Sequence, residues 1–129
     1  MKANIEHFNP QNLAKPGGHY SHAVMANGFI FISGQLPITK EGQKLSQASF
    51  KDQTLQALEN LKCALEGAGG KIQSLVQVRV YVDDISNWPE FNVIYSEWAG
   101  DSLPARAVVP TGQLHFGLKI EVEAIAAKL

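Results

Sequence analysis

The sequence predicts an α+β domain: a mixed β-sheet carrying two helices on one face, in the order β-β-β-α-β-α-β-β. Three patterns lead to this expectation. Phe50, Thr54, Leu58, Leu61, Leu65 and Ala68 recur at steps of three or four, the stripe of one helical face. Val76, Val78, Val80 and Val82 alternate with Gln77, Arg79 and Tyr81, the period of a strand. Ala26-Asn27-Gly28 between two apolar runs marks a hairpin. The 129 residues suit one domain spanning 1–129, with no repeat or linker in it.

Each element can be justified in turn. Asn4 to Phe8 is a short strand, followed by a turn-rich stretch through Pro10, Pro16, Gly17 and Gly18. Strands are expected over Tyr20–Met25 and Phe29–Ser33, and a loop over Gly34, Pro37 and the polar residues to Gly42. The first helix starts where Ser49 and Asp52 resemble a capping box, with Ser46 as an alternative cap. Gly67, Gly69 and Gly70 end it. Leu75 to Asp83 is the next strand, with valines on its core side. A second helix runs from about Pro89 to Trp98, placing Phe91, Ile94, Tyr95 and Trp98 on one stripe. Strands over Leu103–Pro110 and Lys119–Ala126 close the domain. The sheet face away from the helices then holds Phe29, Phe31, Gln77, Arg79 and Tyr81, too apolar for simple solvation, so an oligomer is expected.

Composition excludes several function classes. A net charge of −1 with 45% hydrophobic and 18% charged residues fits a globular domain, not a disordered tail or a strongly basic nucleic-acid binder. No run of about 18 apolar residues occurs, and Met1 to Glu6 lacks a hydrophobic leader, so a cytoplasmic, non-membrane protein is expected. One cysteine, Cys63, allows neither an internal disulfide nor a thiolate metal cage, and burial in the first helix is its expected state. His19 and His22 form half a zinc site that no nearby ligand completes, so no metal is expected.

Two charged positions stand out. Arg106 sits inside an apolar run, and Glu121 and Glu123 alternate with Ile120, Val122 and Ala124. A guanidinium and a carboxylate on neighbouring strands suggest a site for a small anion, because arginine's planar fork holds a carboxylate bidentately. The competing reading is a pair of solvated strand charges. A glycosidase-like pair of Glu121 and Glu123 is formally open, but no sugar-binding aromatic cluster accompanies it.

Five blocks then add up to a pattern: Gly18-His19-Tyr20-Ser21-His22-Ala23, Phe31-Ile32-Ser33-Gly34-Gln35-Leu36-Pro37, Phe91-Asn92-Val93-Ile94-Tyr95, Pro104-Ala105-Arg106 and Ile120 to Ala126. In order and spacing, from about residue 5 to the C-terminus, they resemble the RidA (YjgF) reactive intermediate deaminase family, once labelled endoribonucleases. The resemblance implies a chorismate-mutase-like fold, assembled as a homotrimer with a ligand cleft at each subunit interface. It implies cofactor-independent hydrolysis of 2-imino acids and enamines to 2-oxo acids and ammonia. The carboxylate-binding arginine falls on Arg106 and the water-holding carboxylate on Glu121. Tyr20, Ser33 and Gly34 fall on cleft positions, and the family's asparagine on Asn92. Val108 replaces a frequent cysteine, His19 replaces a proline, and the loop Thr111–Gly117 departs from the usual pattern, which puts substrate range in question.

The chemistry suits those residues. Arg106 can pin the carboxylate of an imino acid, and Glu121 can accept a proton from attacking water. Tyr20 or Ser33 can bond the imine nitrogen or the leaving ammonia. A non-catalytic trimer using the same cleft to sense an imino or 2-oxo acid is the alternative. RNA binding is the third reading, opposed by the charge and by the lack of a basic-aromatic stripe.

Overall fold

Asn27 and Gly28 turn the chain back on itself with positive φ, 52° and 79°. This is the mirror-image turn whose twist matches its flanking strands, and it pairs β2 (Ala23–Ala26) with β3 (Phe29–Gln35). A computed structural model describes residues 4–129; Met1 to Ala3, part of the segment inspected for a leader, lie outside the described residues. β1 (Ile5–Phe8) adds to β2, and β6 (Ile120–Ala127) pairs antiparallel with β3. β4 (Leu75–Val82) lies antiparallel to β6, and β5 (Ala105–Pro110) parallel to β4. The sheet order is β1-β2-β3-β6-β4-β5, with β1 and β5 at its edges. A parallel step needs a crossover, and α2 (Trp88–Ala99) lies within the one joining β4 to β5.

Both helices cover one face, as expected. α1 (Phe50–Gly67) is capped by Ser49, whose Oγ accepts the Asp52 N–H at 3.1 Å. Ser46 does not compete for the cap; its hydroxyl donates to the Phe116 carbonyl at 2.8 Å. Ala57, Leu58, Leu61, Ala64 and Leu65 of α1 are fully buried in one core with Ile30, Val78, Val80, Val122 and α2's Phe91. On the far face Phe29 and Phe31 stay 44% and 45% exposed. Among the described residues no helix is long and apolar enough to cross a membrane.

Four local expectations need correction. β2 begins at Ala23 and not at Tyr20, because the Tyr20 N–H is taken by a turn bond to the Gly18 carbonyl at 3.1 Å. Gly34 belongs to β3 and not to a loop, since the strand bulges between Ile32 and Gln35 without ending. The valine alternation fails at one place: a second bulge between Leu75 and Gln77 leaves Val76 exposed and Leu75 buried. β5 starts at Ala105, not Leu103, which is 92% exposed ahead of Pro104, a residue with no N–H to give a ladder.

Candidate active site

The β3 bulge builds one wall of a cavity. Ile32 pairs with Ala124 and Gln35 with Val122, so Ser33 and Gly34 stand where β6 supplies only Glu123. The extra residue re-aims the local backbone. Ser33 Oγ donates to the Ser21 carbonyl at 2.6 Å, which leaves its oxygen lone pairs free to accept. A Cβ at Gly34 would fall on the Glu121 carboxylate, with the carboxyl carbon 3.0 Å away, so the carboxylate keeps this position only beside glycine. Tyr20, Ser33, Gly34 and Glu121 line one cavity of about 680 Å³.

The two carboxylates of β6 are in different states. Glu123 accepts from the Tyr81 hydroxyl at 2.7 Å and from Arg79 Nη1 at 3.4 Å. Glu121 makes no hydrogen bond or ion pair among the described residues. Burial pushes its carboxyl above the usual range; His115 opposes the shift and Glu123 adds to it. A carboxyl held up in this way binds a proton more readily than an ordinary glutamate, as a group that takes and returns one must. The cavity thus holds a carboxyl without a hydrogen-bond partner together with a hydroxyl acceptor.

A buried polar pair supports the bulge from below. His22 is 7% exposed; its Nε2–H donates to the Ala14 carbonyl at 2.7 Å, and Gln35 Nε2 donates to its Nδ1 at 3.1 Å. Gln35 Nε2 also reaches the Ser33 carbonyl at 3.2 Å. These contacts require the neutral Nε2–H tautomer and engage both ring nitrogens, so the His19–His22 half-site is not assembled. Neither His22 nor Gln35 was picked out by sequence as a support for Ser33, because only the fold brings position 14 beneath position 35. Cys63 is buried, and desolvation followed by Glu59 raises its thiol pKa, the expected inert state.

Arg106 lies elsewhere. The expectation of neighbouring strands is overturned: β4 stands between β5 and β6. Arg106 pairs with Val78, which is fully buried under the helices, whereas Glu121 pairs with Tyr81 on the opposite face. Its Nη2 donates to Asn92 Oδ1 at 3.0 Å, and its Cζ lies 4.9 Å from the Tyr95 ring centre and 5.7 Å from that of Phe91. One turn of α2 therefore orients the guanidinium on aromatic faces. Asn92 holds the arginine and does not line the cavity of Tyr20, Ser33, Gly34 and Glu121. Tyr95 and Phe91, which the sequence places on the apolar stripe of the second helix, also orient it.

Gly34→Ala should displace the Glu121 carboxylate, the end of a flexible side chain, at a cost of no more than about 1 kcal/mol. Adding Glu121→Ala should recover most of that loss, a coupling measurable by denaturant titration of both single variants and the double variant. Simple additivity would show that Gly34 is not reserved for the carboxylate.

The sequence profile of the endoribonuclease L-PSP family matches residues 11–128. A RutC family protein of Pyrococcus horikoshii is 42% identical over 118 residues, covering 92% of this chain and 94% of the relative. The solved yeast protein YEO7 superposes with a TM-score of 0.94 at 31% identity, covering 98% of this chain and all of that one. Escherichia coli TdcF, solved with bound serine, superposes with a TM-score of 0.89 at 26% identity, covering 96% and 99%. With fold and sequence in agreement over nearly its whole length, the chain belongs to the YjgF/RidA family, the family of the endoribonuclease L-PSP profile.

Proposed function

We propose that the chain hydrolyses 2-imino acids and their enamine tautomers to 2-oxo acids and ammonia, in clefts between the subunits of a homotrimer. The observation that carries this reading is the state of Glu121: a half-buried carboxylate with a raised pKa, no partner among the described residues, and a cavity in front of it. Arg106 supplies the complementary group but occupies the other face, so a working pair needs Arg106 from one subunit and Glu121 from its neighbour. The exposed Phe29 and Phe31, on the same face as Glu121, support closure by further copies. The serine held by TdcF supports an α-substituted carboxylate as the kind of ligand this fold takes.

In this reading Arg106 binds the carboxylate and fixes the adjacent C=N carbon. Water attacks that carbon, the C=N π pair moves to the protonated nitrogen, and Glu121 accepts the proton water loses. Glu121 then returns the proton to the nitrogen of the tetrahedral adduct. The C–N bond breaks, ammonia leaves, and loss of the hydroxyl proton yields the 2-oxo acid. Ser33 Oγ, with lone pairs free, and the exposed Tyr20 hydroxyl can bond the nitrogen as it leaves. No step uses a metal or cofactor. Ribonucleolysis, the activity in the family description, fits less well: Glu121 and Glu123 on the cavity wall and a net charge of −1 would repel a phosphate backbone.

The direct test generates imines in situ from amino acids with an amino-acid oxidase and follows 2-oxo acid release. The protein should accelerate it. Binding of a 2-oxo acid without acceleration would instead favour the sensing role. Arg106→Lys should lose on the order of 30- to 4000-fold in kcat/KM, because a point charge does not orient the substrate. Near wild-type rates in a folded Arg106→Lys trimer would contradict the assignment.

Glu121 also predicts a pH signature. As a base it must be ionised, so kcat/KM should fall as pH drops through its raised pKa. Stability runs the other way: the folded state holds the proton more tightly than the unfolded chain, so stability declines as pH rises from the ordinary glutamate range through the raised value. Glu121→Gln should abolish turnover, remove that decline, and be at least as stable as wild type at neutral pH in thermal unfolding. A clear destabilisation at neutral pH would mean that Glu121 is a structural residue.

A further inference from the structure

One part of the cavity lining has no role in imine hydrolysis as described. Leu13, Leu36, Ile38 and Phe116 give the cavity an apolar wall. Phe116 is the unusual member. It takes the left-handed conformation, φ 61° and ψ 18°, inside the one-turn segment His115–Gly117, and Gly117 follows at φ 68°. That conformation is an outlier for a bulky residue, and strain of this kind survives only where surrounding contacts impose it.

Those contacts are present. Ser46 Oγ donates to the Phe116 carbonyl at 2.8 Å, the Leu118 N–H bonds the His115 carbonyl at 3.1 Å, and Lys44 Nζ lies 4.5 Å from the Phe116 ring centre. The core does not hold the ring, which is 54% exposed. The chain therefore maintains a strained backbone to keep an aromatic ring at the edge of the cavity that holds Glu121.

We infer that Phe116, with Leu13, Leu36 and Ile38, forms a side-chain subsite, and that the preferred substrates are 2-imino acids with a large aliphatic or aromatic side chain. The inference rests on the hydrolytic reading of Glu121 and Arg106. Acidic side chains are disfavoured by Glu121 and Glu123 on the same wall, and Lys44 is already engaged on the Phe116 ring. Small side chains leave the apolar wall uncovered.

The test compares imines derived from alanine, glutamate, leucine and phenylalanine. Wild-type kcat/KM should favour the leucine- and phenylalanine-derived imines over the alanine-derived one by roughly 10- to 200-fold, the discrimination an apolar pocket can give. In Phe116→Asn, which tolerates the left-handed backbone but lacks the ring, that ratio should fall about tenfold, chiefly through KM. Phe116→Leu should keep most of the preference. Calorimetric binding of 4-methyl-2-oxopentanoate and pyruvate provides a readout that needs no turnover. A binding preference lost in Phe116→Asn, with no imine hydrolysis by wild type, would uphold the subsite and overturn the catalytic reading. Hydrolysis with no side-chain preference, a preference for the glutamate-derived imine, or an unchanged ratio in folded Phe116→Asn would overturn the subsite.

Discussion

On β4, Val78 pairs with Arg106 of β5, and Tyr81, three residues on, pairs with Glu121 of β6. Paired residues share a face and successive residues alternate, so a separation of three puts the two pairs on opposite sides of the sheet. No rotamer of Arg106 brings it round to Glu121 within one chain. This parity organises the rest of the functional argument. It leaves a guanidinium oriented by Asn92, Tyr95 and Phe91 with no carboxylate partner among the described residues, and a cavity-lining carboxylate with no ion-pair partner among them. Each half is prepared, and each lacks what the other has. The apolar face bearing Phe29 and Phe31 gives a second, independent reason for further copies to close over it.

The bulge in β3 is the local device that makes the carboxylate half possible. A side chain at position 34 would push the Glu121 carboxylate from the place it occupies beside the bulge. The extra residue, the missing Cβ at Gly34 and the His22–Gln35 pair beneath it act together. The result is an unpaired, partly desolvated acid, which a protein optimised only for stability would have paired or replaced. Phe116 repeats the pattern on a neighbouring segment, with backbone strain imposed by Ser46 and the next turn. Deviations from local rules gather around one cavity, as they do at working sites.

Much of the fold was legible because its signals are local. The Asn27-Gly28 hairpin, the apolar stripe of α1 and the aromatic stripe of α2 each encode structure within a few residues of sequence. Bulges escaped, since one extra residue carries no marker: Val76 fits the alternation as well as Val78 does, and Gly34 reads as a strand breaker. Sheet order escaped too. Insertion of β6 between β3 and β4 is a non-local fact, and without it Arg106 and Glu121 look like neighbours. Tyr20, Ser33, Gly34 and Glu121 do share a cavity, but family resemblance, not spacing, singled out all but Glu121. The polar support from His22 and Gln35 had no sequence signal, because it depends on which carbonyl the fold places beside the ring.

The central claim is that active clefts combine Arg106 of one subunit with Glu121 of another, and subunit mixing tests it most directly. Arg106→Ala and Glu121→Gln chains should each be inactive as purified assemblies. Unfolded together in equal amounts and refolded, they should regain imine hydrolysis approaching about a quarter of the wild-type rate, since each mixed trimer restores one cleft with both native residues. No recovery in mixed assemblies shown to form by native mass spectrometry would contradict an intersubunit site.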